Sequence, residues 1–213
     1  MTSRPPRREP DPEKLRKLQE ALDVYAAGEG PGLIDHEHEK AAAKVRERAL
    51  RLLDQRSRSR HELRERLLDP RRVKEGEEPP VPELVDDVLD SLQRSGLIDD
   101  EAFAHEWVRQ RFERRGKSAM VLRRELQEKG VPAADQDSAL EQIDEDDERQ
   151  LARALAQKKA RSVKAVPADR AERDKVLRRI VGVLARRGFP QSMALATAKE
   201  ALDERCEELD CER

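Results

Sequence analysis

Five aromatic residues among 213, three Phe, one Trp and one Tyr, leave this chain without the side chains that usually fill a large interior. Any core must therefore be built from Leu, Val, Ile and Ala. Cysteine is almost absent as well. Cys206 and Cys211 stand five apart near the C-terminus with no histidine close by, and a structural zinc usually takes four ligands, so both are expected as unpaired thiols. No apolar run approaches the roughly 20 residues of a membrane span. The opening Met1-Thr2-Ser3-Arg4-Pro5-Pro6 also lacks the apolar stretch of a signal peptide, so a cytoplasmic location and no membrane partner are expected. Sustained β-branched alternation is missing too, which argues against sheets and leaves an all-α fold.

What is present is charge. Asp, Glu, Lys and Arg make up 42% of the chain, and 44 basic against 46 acidic residues give a formal net charge of −2. A near-zero sum conceals any segregation of sign onto separate faces, so local patches carry more information than the total. Residues 1–40, with Pro5, Pro6, Pro10 and Pro12 among charges and then Gly28, Gly30, Pro31 and Gly32, read as a mostly disordered tail containing a short helix from Glu13 to Ala26.

From Ala41 onward the apolar residues recur with helical period, punctuated by Gly and Pro. The punctuation itself repeats. Leu122-xxx-Leu126-xxx-Gly130-Val131-Pro132 returns as Ile180-xxx-Leu184-xxx-Gly188-Phe189-Pro190, and an earlier Leu63-xxx-Leu67 leads through a loop to Val81-Pro82, at offsets of 59 and 58 residues. In each copy the i, i+4 pair forms a buried stripe; in the later two a glycine suits the left-handed residue that ends a helix, and proline suits the first turn of the next.

The reading is three tandem three-helix repeats stacked into an elongated, curved array. Residues 41–95 form the first, with helices Ala41 to Gln55, Ser59 to Leu68 and Pro82 to Arg94, a loop insertion at 69–80, and a capping box from Ser59 to Glu62. Residues 96–144 form the second, with helices Asp100 to Arg115, Ser118 to Lys129 and Ala133 to Ile143. Residues 145–205 form the third, with helices Asp146 to Val163, Arg173 to Arg187 and Gln191 to Arg205, leaving 206–213 as a tail.

Gly96-Leu97-Ile98-Asp99-Asp100-Glu101-Ala102-Phe103-Ala104, followed by Trp107, Arg111, Gly116, Leu122, Leu126 and Gly130, is the most specific stretch. A glycine stop, an apolar staple, an acidic helix start and an apolar stripe of Phe103, Trp107 and Phe112 account for it as packing and capping. The stretch also resembles the central signature of the RecX family, as does Arg56-Ser57-Arg58-Ser59 with Glu62-Leu63 and Leu67, and the resemblance runs over residues 43–205. It implies tandem three-helix units and no cofactor. It also implies an activity, in recombination and the SOS response, that modulates RecA by lying along the RecA–DNA filament and opposing its extension, ATP hydrolysis and strand exchange. The N-terminal tail and the 69–80 insertion depart from the compact family pattern and leave their own roles open.

No catalytic grouping is suggested by spacing: His36, His38, His61 and His105 are scattered among charges. Gly116-Lys117-Ser118 looks like the end of a phosphate loop, but Arg111 stands where that motif needs glycine and a helix where it needs a strand. A non-enzyme is expected.

Basic residues are more telling. Arg58, Lys117 and Lys175 occupy one repeat position, five before Leu63, Leu122 and Ile180, where a cation gains nothing from the helix dipole. Lys175, Arg179, Gly182 and Arg186 line one face of a helix, with Gly182 a flat spot, and Arg114, Arg115, Lys117, Arg123 and Arg124 gather at one helix junction. These are the candidate partner- and DNA-binding residues, for contact with phosphates or with acids of a protein filament; a solvated basic face is the plainer alternative. The acidic start Asp144 to Glu148 and the basic end Lys158, Lys159, Arg161 and Lys164 of a long helix suit its dipole and read as structural. The expected partners are the RecA filament and, weakly and without sequence preference, single- or double-stranded DNA, met by a monomer. A sequence-specific helix-turn-helix regulator and a helical adaptor for another protein stay open as alternatives.

Overall fold

The computed structural model describes Glu13, Arg16, Gln19, residues 36–73, Gly76 and residues 78–211. Among them there are nine α-helices and no strand: α1 His36–Gln55, α2 Arg60–Leu68, α3 Pro82–Arg94, α4 Asp100–Arg115, α5 Ala119–Glu128, α6 Ala133–Leu140, α7 Glu145–Ala160, α8 Arg170–Ala185 and α9 Gln191–Cys211. None of them is long and apolar enough to cross a membrane. By contacts the chain divides into residues 1–44 and 45–213.

In the first unit Glu13, Arg16 and Gln19 are helical and exposed; the rest of the expected Glu13 to Ala26 helix, and most of the tail, lie outside the described residues. Helix α1 begins at His36, five residues before the expected Ala41. Glu37 and Glu39 in its first turn favour that start through the dipole, and Lys40 pairs with Glu37 at 3.1 Å.

The second unit holds three groups of helices. Helices α2 and α3 pack on each other and bury Leu63, Leu67, Val85, Val88, Leu89 and Leu92. The expected 69–80 loop opens with a short 3-10 turn, Pro70–Arg72, capped by Asp69. Helices α4, α5 and α6 enclose a core of Phe103, Ala104, Val108, Leu122, Leu126 and Ala139, with Trp107 and Phe112 half-buried against it. Of the expected apolar staple only Ile98 turns inward; Leu97 is exposed. Helices α7, α8 and α9 form the third group. Ala152, Ala156 and Ala160 on α7 recur at i, i+4 and i+8, and Ala194, Ala198 and Ala201 on α9 form a second small-residue stripe in the same core. Short side chains let two helices approach closely where aromatics are scarce.

Helix α9 runs to Cys211 and not to Arg205, because its last turns still bury Leu209 and keep Cys206 against the third core. Both cysteines are free thiols.

Successive groups are joined by the same device. The Ser59 hydroxyl donates to the Lys129 carbonyl at 2.6 Å, the Arg60 amide donates to Asp100 at 2.8 Å, and Gly130 sits against His61. Fifty-nine residues on from Ser59, the Ser118 amide donates to the Arg187 carbonyl at 3.0 Å. There the Ala119 amide donates to Glu148 at 2.8 Å, and Gly188 sits against Val121. In both, the start of one group's middle helix meets the glycine turn of the next group and an acid from that group's opening helical turn. In the third group the matching register position is Val176, in the interior of α8, which begins six residues earlier at Arg170 behind the cap Asp169.

Ser59 is fully buried and serves twice, since its oxygen also accepts from the Glu62 amide at 3.2 Å. Ser59→Ala removes a cap and takes its donor from the half-buried Lys129 carbonyl, so urea denaturation is expected to give a loss of about 2 kcal/mol. An unchanged midpoint would mean that the junction does not depend on this hydroxyl. The reciprocal half of the expected capping box is not formed: the Glu62 carboxylate turns to basic side chains instead of the Ser59 amide.

Candidate anion-binding surface

Glu62, at 6% exposure, receives Arg56, Arg58 (2.5 Å) and Arg66 (3.1 Å) on one oxygen and Lys129 (3.0 Å) on the other. Lys129 comes from the C-terminal end of α5, so one carboxylate ties the first group to the second. Burial, the largest influence, pushes the Glu62 carboxyl up; the hydrogen bond and charge of Lys129, then Arg56 and Arg58, outweigh it and hold the carboxyl at about 2.

A second shared acid lies nearby. Glu125 pairs with Lys117 and accepts from the Trp107 indole N–H at 3.0 Å. Its Oε2 also lies 3.1 Å from Arg111 Nε, without the alignment of a hydrogen bond, which leaves that buried nitrogen unpartnered. The Arg111 guanidinium instead stacks on Trp107, its carbon 3.5 Å from the ring centroid, with Lys129 Nζ 5.3 Å from the same centroid. Burial draws Arg111 down from its ordinary value. Six cations thus share two carboxylates, and two of the six, Arg111 and Lys129, stand over the Trp107 ring.

The nine candidate residues fall into three classes. Arg58 is only 4% exposed and is held by the Leu52 carbonyl at 3.0 Å and by Glu62, so the structure withdraws it as a contact residue. What looked like a cation in search of a ligand is an internal counter-charge. Lys117, Arg123 and Arg124 are engaged locally: Lys117 by Glu125, Arg123 by Asp137 at 2.5 Å and Arg124 by Glu128 at 3.8 Å. Exposed pairs of the latter kind are worth little and exchange readily for another anion. Arg114, Arg115, Lys175, Arg179 and Arg186 are exposed, and no carboxylate among the described residues forms an ion pair with them. Arg187 donates to the Arg115 carbonyl at 3.4 Å, so the C-terminal ends of α4 and α8 adjoin and Arg115 and Arg186 belong to one region.

Lys159, read from the sequence as a dipole partner, lines a small cleft with Arg179 and Ser162. Gly182 is open, with only the flexible Arg186 guanidinium within 4 Å of an added Cβ. Arg56, Trp107, Arg111 and Lys129 were not candidates from the sequence. The spacing of Trp107 and Arg111 is the one signal that brings a guanidinium over an indole on a helix. Nothing local links Lys129 to Glu62, 67 residues away. Among the described residues no group of three His, Cys, Asp or Glu side chains could hold a metal ion.

Comparison with known proteins gives one consistent result. Residues 99–140 match the family model described as RecX, second three-helix domain. The regulatory protein RecX of Corynebacterium efficiens is 54% identical over 200 residues, covering 92% of this chain and 91% of that protein. The regulatory protein RecX of Streptomyces coelicolor is 39% identical over 161 residues, 76% of this chain and 79% of its own. A crystal structure of regulatory protein RecX superposes with a TM-score of 0.60 at 25% identity, covering 85% of each chain.

Proposed function

This chain belongs to the RecX family, and from that premise we propose that it is a non-enzymatic regulator of RecA that binds along the RecA–DNA filament and opposes its extension, ATP hydrolysis and strand exchange. The family membership carries the reading. The surface supports it: exposed Arg114, Arg115 and Arg186 lie at the adjoining ends of α4 and α8, Lys175 and Arg179 continue along α8, and such cations suit a partner rich in phosphates or acidic side chains. Serial helix groups joined by one repeated junction suit a partner that is itself a repeating polymer. A cytoplasmic monomer that works by occupancy needs no reactive group.

The test is RecA-catalysed strand exchange and DNA-dependent ATP hydrolysis with and without this protein. Stoichiometric amounts are expected to suppress both, and an unchanged rate would defeat the reading. Changing Lys175, Arg179 and Arg186 together to Glu is expected to weaken co-sedimentation with preformed filaments at least tenfold while the circular dichroism stays the same. Undiminished co-sedimentation would remove the α8 face from the contact surface. Binding by the native chain should weaken steeply as salt rises.

A further inference from the structure

We propose that the cleft beside Trp107 is a nucleotide site, which takes one base and its phosphate from single-stranded nucleic acid. The proposal deepens the filament reading above, on which it rests for the presence of nucleic acid, but its test needs no recombinase.

The cleft is a cavity of about 440 Å³ between the loop after α1, which supplies Arg56 and Ser57, and the exposed side of α4, with Lys129 closing one end. That volume fits one nucleotide and is too small for a helix or a folded partner. Its wall is the Trp107 indole with the Arg111 guanidinium laid on it, and Phe103 stands 5.5 Å from Trp107 between ring centroids. A guanidinium stacked on an indole presents a flat, cationic plane, the type of surface on which unpaired bases stack.

The charged groups are placed for a phosphate. Arg56 is 42% exposed although its partner Glu62 is buried, and it shares that carboxylate with three other cations, so an incoming phosphate oxygen relieves crowding without leaving an acid bare. Lys129, alone on the other Glu62 oxygen, stays with that carboxylate and adds its charge from the end of the cleft. Around the base, Ser57 offers a neutral hydroxyl and Gln110 its amide oxygen, the Gln110 amide nitrogen being already bound to Glu106, which also accepts from Arg109. An acidic peptide matches this lining less well, because it has no plane to lay on Arg111.

The site also continues. A second cavity of about 170 Å³ shares Trp107, Gln110 and Arg111 with the first and extends to Arg114 and Arg115, both without acid partners among the described residues. A cationic track leading out of a base-sized cleft favours a strand over a free nucleotide.

Trp107 is the one tryptophan in the chain, so its fluorescence reports this cleft directly in the full-length protein. Titration with a 12-nucleotide oligodeoxythymidylate at low salt is expected to quench the emission saturably. Thymidine monophosphate should quench more weakly, and inorganic phosphate should not quench. Arg56→Gln is expected to weaken oligonucleotide binding about tenfold and to reduce the salt slope by about 0.7. Because Arg111→Gln removes the packing on Trp107, Arg114→Gln with Arg115→Gln serves as the second variant: it should weaken the oligonucleotide while leaving the monophosphate unchanged.

Monophosphate binding as tight as the oligonucleotide would keep the site and make the free nucleotide its ligand. Absence of quenching by either, an unaltered affinity in the Arg56→Gln protein, or tighter binding of a poly-glutamate peptide would overturn the proposal. Lost recombinase inhibition with intact quenching defeats the filament reading alone; intact inhibition without quenching defeats the nucleotide site alone.

Discussion

Gly188→Ala is expected to destabilise the protein by about 3 kcal/mol, from two separable causes. The glycine has φ of +84°, a conformation that costs a residue with a Cβ roughly 1–2 kcal/mol. The added carbon would also lie 2.1 Å from Val121 Cγ2 and 2.8 Å from Ser118 Oγ. Neither neighbour yields easily. Val121 is stiff at its branch point, and Ser118 is fully buried with its amide bound to Arg187 next door. Overpacking of this kind adds about 1–3 kcal/mol. Thermal denaturation should show a midpoint lowered by roughly 8 °C. Gly182→Ala, in the interior of α8 where an added carbon meets only the flexible Arg186 guanidinium at 3.4 Å, is the control and should raise stability by about 0.5–1 kcal/mol. If the two substitutions behave alike, the close fit at the second junction is not what holds it.

Glu62→Gln is expected to cost a similar amount, about 3 kcal/mol, because it strips the shared counter-charge from four cations. Arg58 suffers most, since it is buried and cannot turn to water. The same carboxylate makes stability depend on pH. Its folded value of about 2 lies below the ordinary 4.5, so the unfolded chain takes up the proton first on acidification. The stabilisation is therefore complete above about pH 4.5 and is lost progressively as pH falls towards 2. Asp100 acts in the opposite sense: burial raises its carboxyl, so the folded state is protonated first and part of the loss near pH 4 is offset. Urea midpoints should hold between pH 7 and about 4.5 and fall by pH 3 in the native chain, and change less in the Gln variant. Parallel profiles in the two proteins would show that Glu62 is not the titrating group.

Local signals made several helices legible to the residue. Pro82 at a first turn, the Asp99 cap and the glycine stop at 116 set α3 and α4 where the pattern placed them. Where a boundary depends on contacts far along the chain, the pattern stops short: helix α9 continues because Leu209 still finds a covered position. The early start of α8 is local, a cap in which Asp169 accepts from the Glu172 amide at 2.8 Å and Glu172 accepts from the Ala168 amide.

The site divides the same way. Periodicity is enough to find an exposed face, so Lys175, Arg179 and Arg186 could be placed without coordinates. It says nothing of what stands across a junction, so the pattern leaves Arg58 looking like a free cation and carries no sign of the partners around Glu62. The expected Ser59–Glu62 capping box failed for that reason: a carboxylate offered four charged donors does not turn to one neutral amide.

Val176 has a consequence for how many helix groups such a chain can hold in line. Where Ser59 offers its hydroxyl and Ser118 its backbone amide to the following turn, Val176 has no hydroxyl, and its amide is already engaged inside α8. A further copy of residues 145–205 spliced on behind would meet a face with no handle and hang there as a separate bead, melting on its own. The serial junction ends where a helix runs on through the position at which the two serines start theirs.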